Sequence, residues 1–290
     1  MAKNITKASE EAKKYYFISG LPRSGSTLLA NILAQNPRFH ATATSGILDV
    51  MFGVRNTWNN LIEFKATPDY AAEIRVLRGI IESYFADVTK PVIFDKSRGW
   101  LSELEMVEQV LGHKVKVLVP VRDMRSVVSS FEKLWRKNAP FNQNPQAREN
   151  YFQYQTVEGR VNISLQPSQP TGLAYNRVVD ALNRGFADRM FFVDFDDLTH
   201  NPGETLSQIY KFLGEPEYEH DFNNVEQVTF ENDEVHGIRD LHKIKSVVAP
   251  VEQDWHKIIG PQFGYLERLN FWKNKTPQNP QPLTETPVEK

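Results

Sequence analysis

The chain has 290 residues, of which 40% are hydrophobic and 24% charged, and its formal net charge is −2. This composition is typical of a globular protein that buries a substantial core, and the near-neutral charge excludes a global positive field that would recruit nucleic acid or an anionic membrane. The sequence contains no cysteine, which excludes disulfides, thiolate metal sites and a cysteine nucleophile.

The two ends of the sequence are polar. The first residues, MAKNITKASEEAKK, lack the apolar core of a secretory signal, and no run reaches the ~20 apolar residues of a membrane span. We therefore expect a cytoplasmic protein. The last residues are rich in proline and polar side chains. One domain is predicted over residues 1–290, with its core at about 15–270 and flexible tails at 1–13 and 275–290.

The first predicted elements are a strand, a tight loop and a helix. Tyr15–Ser19 is an apolar strand, Gly20–Gly25 is a glycine loop, and a helix opens at Ser26–Thr27. A strand that enters a helix through such a loop directs backbone N–H groups and the positive end of the helix dipole at one place, which forms an anion site. A Walker A loop would carry lysine at the position of Ser26, whereas here the cation lies inside the loop, at Arg23.

Strands and helices then alternate along the chain. Arg38–Asn60 is predicted to be a loop followed by a helix. Apolar runs predict further strands at Pro91–Asp95, Val115–Val121 and Met190–Phe195. Periodicity and capping residues predict helices at Pro68–Val88, Trp100–Leu111, Asp123–Arg136, Tyr151–Ile163, Leu173–Ala187 and Pro202–Leu213. The alternation predicts a three-layer, P-loop-like α/β fold, with a central parallel sheet of about five strands and helices on both faces.

Less regular segments complete the chain. Asn138–Asn150 is rich in asparagine, glutamine and proline and is predicted to be a long loop. Val225–Phe230 is predicted to be extended, Val235–Val248 to be irregular and basic, and Val251–Leu269 to contain one or two short helices.

Two further motifs follow apolar strands. In an open parallel sheet, ligands bind beyond the carboxyl ends of the strands. Lys96 comes directly after the second predicted strand, within Asp95-Lys96-Ser97-Arg98. Arg122 ends the third, and Ser130 lies eight residues later in the next helix, where the pair can hold a second phosphate. Taken singly, each motif also fits a solvated strand end or a packed serine.

Together these motifs resemble the sulfotransferase family that uses 3′-phosphoadenosine 5′-phosphosulfate (PAPS). Gly20–Leu28, GLPRSGSTL, is similar to the 5′-phosphosulfate loop of tyrosylprotein and bacterial members. Arg122 followed by Ser130 is similar to the family's 3′-phosphate motif. Phe195-Asp196-Asp197-Leu198 resembles its Tyr-Glu-Asp-Leu segment, with phenylalanine in place of tyrosine. More loosely, Ile244–Val248 resembles the late loop that closes over the nucleotide.

The resemblance implies an enzyme that moves a sulfuryl group in line, without metal, from PAPS to a hydroxyl or amine of an acceptor, releasing 3′-phosphoadenosine 5′-phosphate (PAP). The implied acceptor is a small molecule or the hydroxyl of a glycan or peptide, with no role for nucleic acid. The implied catalytic residues are Arg23 and Lys96. The implied nucleotide-binding residues are Arg23, Ser24, Gly25, Ser26, Thr27, Arg122, Ser130 and Lys245.

The general base is where the sequence departs from its relatives. Cytosolic sulfotransferases carry histidine in a Lys-Thr-His pattern, whereas this chain has Lys96-Ser97-Arg98. Tyrosylprotein sulfotransferases carry glutamate shortly after the first helix, where this chain has Ala43-Thr44. Four residues are candidates for the base: His40, Asp49, Asp95 and His236.

Two other functions are compatible with the loop. A P-loop kinase of a small molecule would share the fold, although Ser26 in place of the Walker lysine argues against it. A protein that binds the nucleotide but lacks a base would act as a sensor or scaffold. Three divergent segments are expected to meet the acceptor: Arg38–Asn60, Asn138–Asn150 and Val235–Val248.

Overall fold

A parallel β-sheet lies at the centre of the computed structural model, which describes residues 12–138, 151–273 and 280–284. Within these residues the sheet has five strands in the order β2-β3-β1-β4-β5, and every neighbouring pair is parallel. The strands are β1 (Lys14–Ile18), β2 (Phe39–Thr44), β3 (Val92–Lys96), β4 (Val117–Val121) and β5 (Met190–Asp194). The carboxyl ends of all five strands therefore lie at one edge of the sheet.

Helices cover both faces of this sheet. They are α1 (Ser26–Leu33), α2 (Ile47–Asn60), α3 (Ile62–Ala66), α4 (Tyr70–Tyr84), α5 (Leu104–Leu111), α6 (Met124–Asn138), α7 (Tyr151–Tyr154), α8 (Val157–Ser164), α9 (Pro170–Asn183), α10 (Phe195–His200), α11 (Pro202–Leu213) and α12 (Trp255–Ile258). Short 3₁₀ segments lie at Trp100–Ser102, Ala187–Arg189, Asp233–His236, Pro261–Leu269 and Phe271–Lys273. No helix in the described part of the chain has both the length and the apolar content needed to cross a bilayer.

The core is divided by the sheet into two layers. Successive side chains of a strand point to opposite faces, so Phe17 joins one apolar cluster and Ile18 the other. β3 and β4 are buried along their whole length, because each has a neighbouring strand on both sides and helices above and below. This is the reason why their sequences are nearly continuous apolar runs.

The loop after β1 is pressed against β4. Leu21 donates its backbone N–H to the carbonyl of Pro120 over 2.9 Å. A Cβ atom on Gly20 would lie only 2.3 Å from the same carbonyl oxygen. Glycine is therefore required at this position by close backbone approach, and the contact sets where the loop leaves the sheet.

One strand was missed by the sequence prediction. Arg38–Asn60 was expected to be a loop followed by a helix, but Phe39–Thr44 forms β2 before α2 begins at Ile47. β2 is an edge strand that pairs only with β3, and its side chains alternate between buried and partly exposed positions. Its small and polar residues therefore lack the apolar run that marked the central strands.

Other boundaries also differ. The helix predicted at Tyr151–Ile163 is divided into α7 and α8, and the one predicted at Leu173–Ala187 begins earlier, at Pro170. The segment Val225–Phe230 forms no strand. The predicted loop Asn138–Asn150 lies outside the described residues, apart from Asn138, which ends α6. Most of the two predicted tails also lies outside them.

Candidate active site

The loop between β1 and α1 presents unfilled backbone donors. Arg23 and Gly25 have φ angles of 57° and 81°, both in the left-handed region. Gly25 occupies the N-cap position of α1, and no side chain caps the helix there. The first amides of α1 are therefore available to an anion, with the helix dipole adding to the attraction. Ser24 is buried and donates its hydroxyl to the carbonyl of Leu21, which stabilises the turn.

Two arginines meet beside this loop. Arg23 donates its Nε–H to Ser130 Oγ over 3.1 Å and a further N–H to the carbonyl of Leu241. Arg122 donates to the carbonyl of Arg23 over 3.3 Å and lies with its guanidinium 4.3 Å from the ring centroid of Phe195. Burial, and then the neighbouring Arg122 charge, lower the pKa of Arg23 to about 10, so it remains a cation at neutral pH. Two adjacent, partly buried cations favour an anionic ligand.

Lys96 lies at the carboxyl end of β3, facing the same loop. Its ammonium donates to Thr27 Oγ1 over 3.3 Å and to Glu231 Oε1 over 3.0 Å. Burial lowers the pKa of Lys96, while the Glu231 charge acts in the opposite direction. Burial also acts to raise the pKa of Glu231, but Lys96 and the amide and hydroxyl of Thr44 outweigh it and lower that pKa to about 2. Glu231 is therefore ionised at neutral pH.

Glu231 comes from a coil segment that is fastened to α1. Asn31, which is 1% exposed, accepts the backbone N–H groups of Val228 and Thr229 over 2.6 and 3.0 Å and donates to Thr229 Oγ1 over 2.8 Å. This clamp holds the segment so that the Glu231 carboxylate reaches both Lys96 and the backbone N–H of Thr44, at 2.8 Å from the latter. The Glu231 carboxylate thus lies beside Ala43-Thr44, a position at which the sequence carries no acidic residue.

A histidine and two carboxylates complete this cluster. His242 Nδ1 lies 2.6 Å from Asp233 Oδ1 and 3.3 Å from Glu231 Oε2. The backbone N–H of His242 also bonds to Asp233 Oδ2, over 3.1 Å. The ring of His236 lies 5.8 Å away, centroid to centroid. With carboxylates at Nδ1, that nitrogen carries the proton, and Nε2 is left as a proton acceptor.

These groups surround a cleft of about 530 Å³ at the carboxyl edge of the sheet. The predicted site residues that line it are Arg23, Gly25, Ser26, Thr27, Lys96, Arg122, His236 and Lys245. Ser130 is joined to them through its hydrogen bond with Arg23. His242 lines the cleft as well, and Glu231 borders it through Lys96. Among the described residues, no group of three or more histidine or acidic side chains is arranged to hold a metal ion.

Three of the four predicted base candidates lie away from the cleft. His40 is near the amino end of β2, opposite to the ligand edge, with its ring 6.3 Å from that of Phe85. Asp49 is exposed in the first turn of α2. Asp95 is buried and accepts from Trp100 Nε1 over 2.8 Å, and burial raises its pKa to about 6. None of the three lines the cleft.

Glu231, Asp233 and His242 were missed at the sequence level. They lie in an irregular segment that contains one short 3₁₀ turn, Asp233–His236, and only the density of acidic residues and histidine in FENDEVHGIRDLH marks it. That signal does not show which strand end the segment reaches. The contacts of Asn31 and Lys96 supply that information.

The sheet, loop and cleft define a P-loop-like α/β fold with a nucleotide-sized site. The sequence matches the Sulfotransferase family over residues 16–220. The chain therefore belongs to the sulfotransferase family, a class of transferases, as the loop and strand-end motifs predicted. A search of curated proteins gives no match.

Solved sulfotransferase structures share the fold. Mouse sulfotransferase SULT7A1 in complex with PAP is 15% identical, with a TM-score of 0.52, and the alignment covers 91% of this chain and 86% of that chain. The sulfotransferase domain from the curacin biosynthetic pathway is 18% identical, with a TM-score of 0.50 over 96% of this chain and 95% of that one. The predicted fold class, a parallel five-stranded sheet between helices, is confirmed.

Proposed function

We propose that this protein is a sulfotransferase that uses PAPS as the donor and a hydroxyl or amine compound as the acceptor, within one domain. The observation that carries the proposal is the convergence on one cleft of the uncapped α1 terminus, Lys96 and the pair of arginines. A kinase that holds ATP with magnesium would need a lysine at Ser26. The location in the cytoplasm stays a prediction from the sequence.

The residues of the cleft fit a donor with two separate anionic ends. The amides of the loop, with Ser26 and Thr27, would hold the phosphosulfate end. Arg122 and Ser130 would hold the 3′-phosphate. In support, the buried Nε of Arg122 has no hydrogen-bond partner among the described residues. Such an unpaired donor is costly unless a ligand accepts from it. Lys245 lines the outer part of the cleft, where it can meet either the nucleotide or solvent.

Lys96 and Arg23 would stabilise the negative charge that develops during transfer. The bound donor supplies a sulfuryl group on a phosphate leaving group, and negative charge grows on the bridging oxygen. A lysine has three N–H donors, and Lys96 uses two of them on Thr27 and Glu231. One donor therefore remains for the ligand without breaking the ion pair. Fixed cations of this kind act without reorganisation in a cleft that excludes water.

His242 is the residue that we assign as the general base. Asp233 and Glu231 hold Nδ1–H and orient the ring, so Nε2 can accept the proton of the acceptor hydroxyl. His236 also lines the cleft and is the remaining candidate from the sequence. In the described residues, however, it has no carboxylate partner comparable to that of His242.

Donor binding tests the proposal directly. Calorimetric titration with PAP in the presence of a chelator should show binding, and PAPS should be turned over without added metal. Lys96→Ala should abolish this turnover. Lys114→Ala should retain it, because Lys114 is exposed and its one ion pair within the described residues is to the exposed Asp188 at 3.5 Å. Absence of PAP binding, or magnesium-dependent ATP binding in its place, would contradict the proposal.

A further inference from the structure

A second cavity, of about 170 Å³, lies between α6, α8 and the start of α9. Its walls are mainly buried apolar side chains, including those of Val128, Leu134, Val161 and Ile163. The donor site described above makes no use of this space. Packed protein interiors contain few voids of this size, so a role for the cavity is worth testing.

The wall of this cavity is fixed in place before any ligand arrives. The ring of Trp135 stacks on that of Tyr154, with centroids 5.2 Å apart, and the guanidinium of Arg160 lies 5.5 Å from the Trp135 centroid. Arg160 is held in turn by a 2.7 Å ion pair to the buried carboxylate of Glu132. Glu132 also pairs with Arg136 at 2.7 Å, so its carboxylate is shared by two arginines. Apart from these charged groups, much of the wall is aromatic and aliphatic.

The cavity opens toward the donor cleft. Phe131, Pro170 and Ile238 line both spaces. Phe131 directly follows Ser130, the residue that accepts the hydrogen bond of Arg23. A molecule that fills the cavity would therefore extend toward the groups assigned to sulfuryl transfer.

One polar group in the cavity wall lacks a partner. Thr171 is 1% exposed, and its Oγ1 makes no hydrogen bond within the described residues. It follows Pro170, which belongs to both spaces. A buried hydroxyl without a partner is destabilising, and a bond to a ligand hydroxyl would remove that cost.

We propose that this cavity holds the apolar part of the acceptor, and that the acceptor is an alcohol built on one aromatic or alicyclic ring. The proposal rests on the sulfotransferase function given above. The volume supports a single ring, because an engineered apolar cavity of about 150 Å³ binds benzene. Thr171 Oγ1 would bond to the acceptor hydroxyl at the side that meets the cleft.

Sulfuryl transfer to this acceptor forms one bond and breaks one. The acceptor oxygen forms a bond to sulfur while the bond from sulfur to the bridging phosphate oxygen breaks. The hydroxyl proton passes to Nε2 of His242, and PAP leaves with the electron pair of the broken bond. The products are a sulfate ester and PAP, and no oxidant, reductant or further reactant is needed.

Binding of 4-fluorobenzyl alcohol to the full chain saturated with PAP, followed by ¹⁹F NMR, tests the proposal. Val161→Phe should fill the cavity and weaken this binding at least tenfold, while the Kd for PAP changes less than twofold. Val76→Phe is the matched control, because Val76 is 40% exposed on α4, outside the segments expected to meet the acceptor. It should leave both affinities unchanged.

Thr171→Val provides a second variant that keeps the volume of the side chain. It should weaken the binding of 4-fluorobenzyl alcohol about fivefold and leave that of 4-fluorotoluene, which has no hydroxyl, unchanged. If PAP binds normally but neither variant changes alcohol binding, the cavity is not the acceptor site and the proposed function stands. If PAP itself does not bind, the proposed function is wrong, and this inference with it.

Discussion

Lys96 Nζ and Glu231 Oε1 lie 3.0 Å apart, with the two side chains only 6% and 9% exposed. The pair joins the end of β3 to a coil segment 135 residues further along the chain. It therefore couples the main cation of the cleft to the segment that carries His242. A buried pair of this kind makes loss of either partner expensive, because the remaining charge is left without compensation.

We expect Lys96→Met to reduce both activity and stability. The free energy of unfolding should fall by about 3 kcal/mol, since Glu231 is then buried without its cation. Turnover, followed as the formation of PAP from PAPS, should slow by about 10²–10³ fold. Adding Glu231→Gln should restore part of the stability but none of the activity. Urea denaturation measures the stability, and the rate of PAP formation from PAPS measures the activity. Equal instability of the single and double variants would show that the ion pair does not stabilise the fold.

Arg122 and Ser130 should act on nucleotide affinity. Arg122→Ala removes a cation from the predicted 3′-phosphate site and is expected to raise the Kd for PAP about 100-fold, and Ser130→Ala about tenfold. Turnover at saturating donor should change much less. Calorimetry with PAP and with adenosine 5′-phosphate provides the comparison, because the latter lacks the 3′-phosphate. If Arg122→Ala weakens the binding of both compounds equally, Arg122 does not bind the 3′-phosphate.

Gly25→Ala is expected to disrupt the loop by collision. A Cβ at Gly25 would lie 2.6 Å from Cδ2 of Phe195, in addition to the strain of a φ of 81°. Gly185→Ala is a matched control, because Gly185 has a φ of 87° and no atom within 4 Å of the added Cβ. Thermal unfolding should show a loss of roughly 1 kcal/mol for the control and more for Gly25→Ala. PAP binding should be lost in Gly25→Ala and retained in Gly185→Ala.

His242→Ala should lower kcat by about 10²–10⁴ fold and leave the Kd for PAP within twofold, because a general base acts on the acceptor. Asp233→Asn should cause a smaller loss, since it disturbs the ring without removing it. Added imidazole should restore part of the turnover of His242→Ala. If His236→Ala shows these effects and His242→Ala does not, the assignment of the base is reversed.

Asp95 should make stability depend on pH. Burial raises its pKa from 3.8 to about 6, so the folded state retains a proton that the unfolded state releases. Its contribution to stability is fully present below pH 3.8 and is lost as the pH rises to about 6. Asp95→Asn does not titrate, so its stability relative to the parent should increase by roughly 3 kcal/mol between pH 4 and pH 7. Urea denaturation at several pH values measures this, and a constant difference would contradict it.

The elements that were predictable share a physical cause. β3 and β4 are covered on both faces, so β4 and the first three residues of β3 are apolar and mark strands clearly, while Asp95 and Lys96 end β3 at the ligand edge. β2 lies at the edge, pairs with one strand only and tolerates small polar residues, so FHATAT did not stand out. The long predicted helix at Tyr151–Ile163 is interrupted before Thr156, whose side chain caps α8 by accepting from Gly159 N.

The donor end of the site follows from local sequence. A strand, a glycine loop and a helix place amides and Arg23 together within ten residues or so, and Lys96 and Arg122 come to the same edge because parallel strands end there. The segment that carries Glu231, Asp233 and His242 is irregular apart from one short 3₁₀ turn, so it has no hydrophobic period from which its position could be predicted. Their place beside Lys96 depends on the buried contacts of Asn31 with Val228 and Thr229, and such long-range side-chain bonds form only once the whole chain has packed.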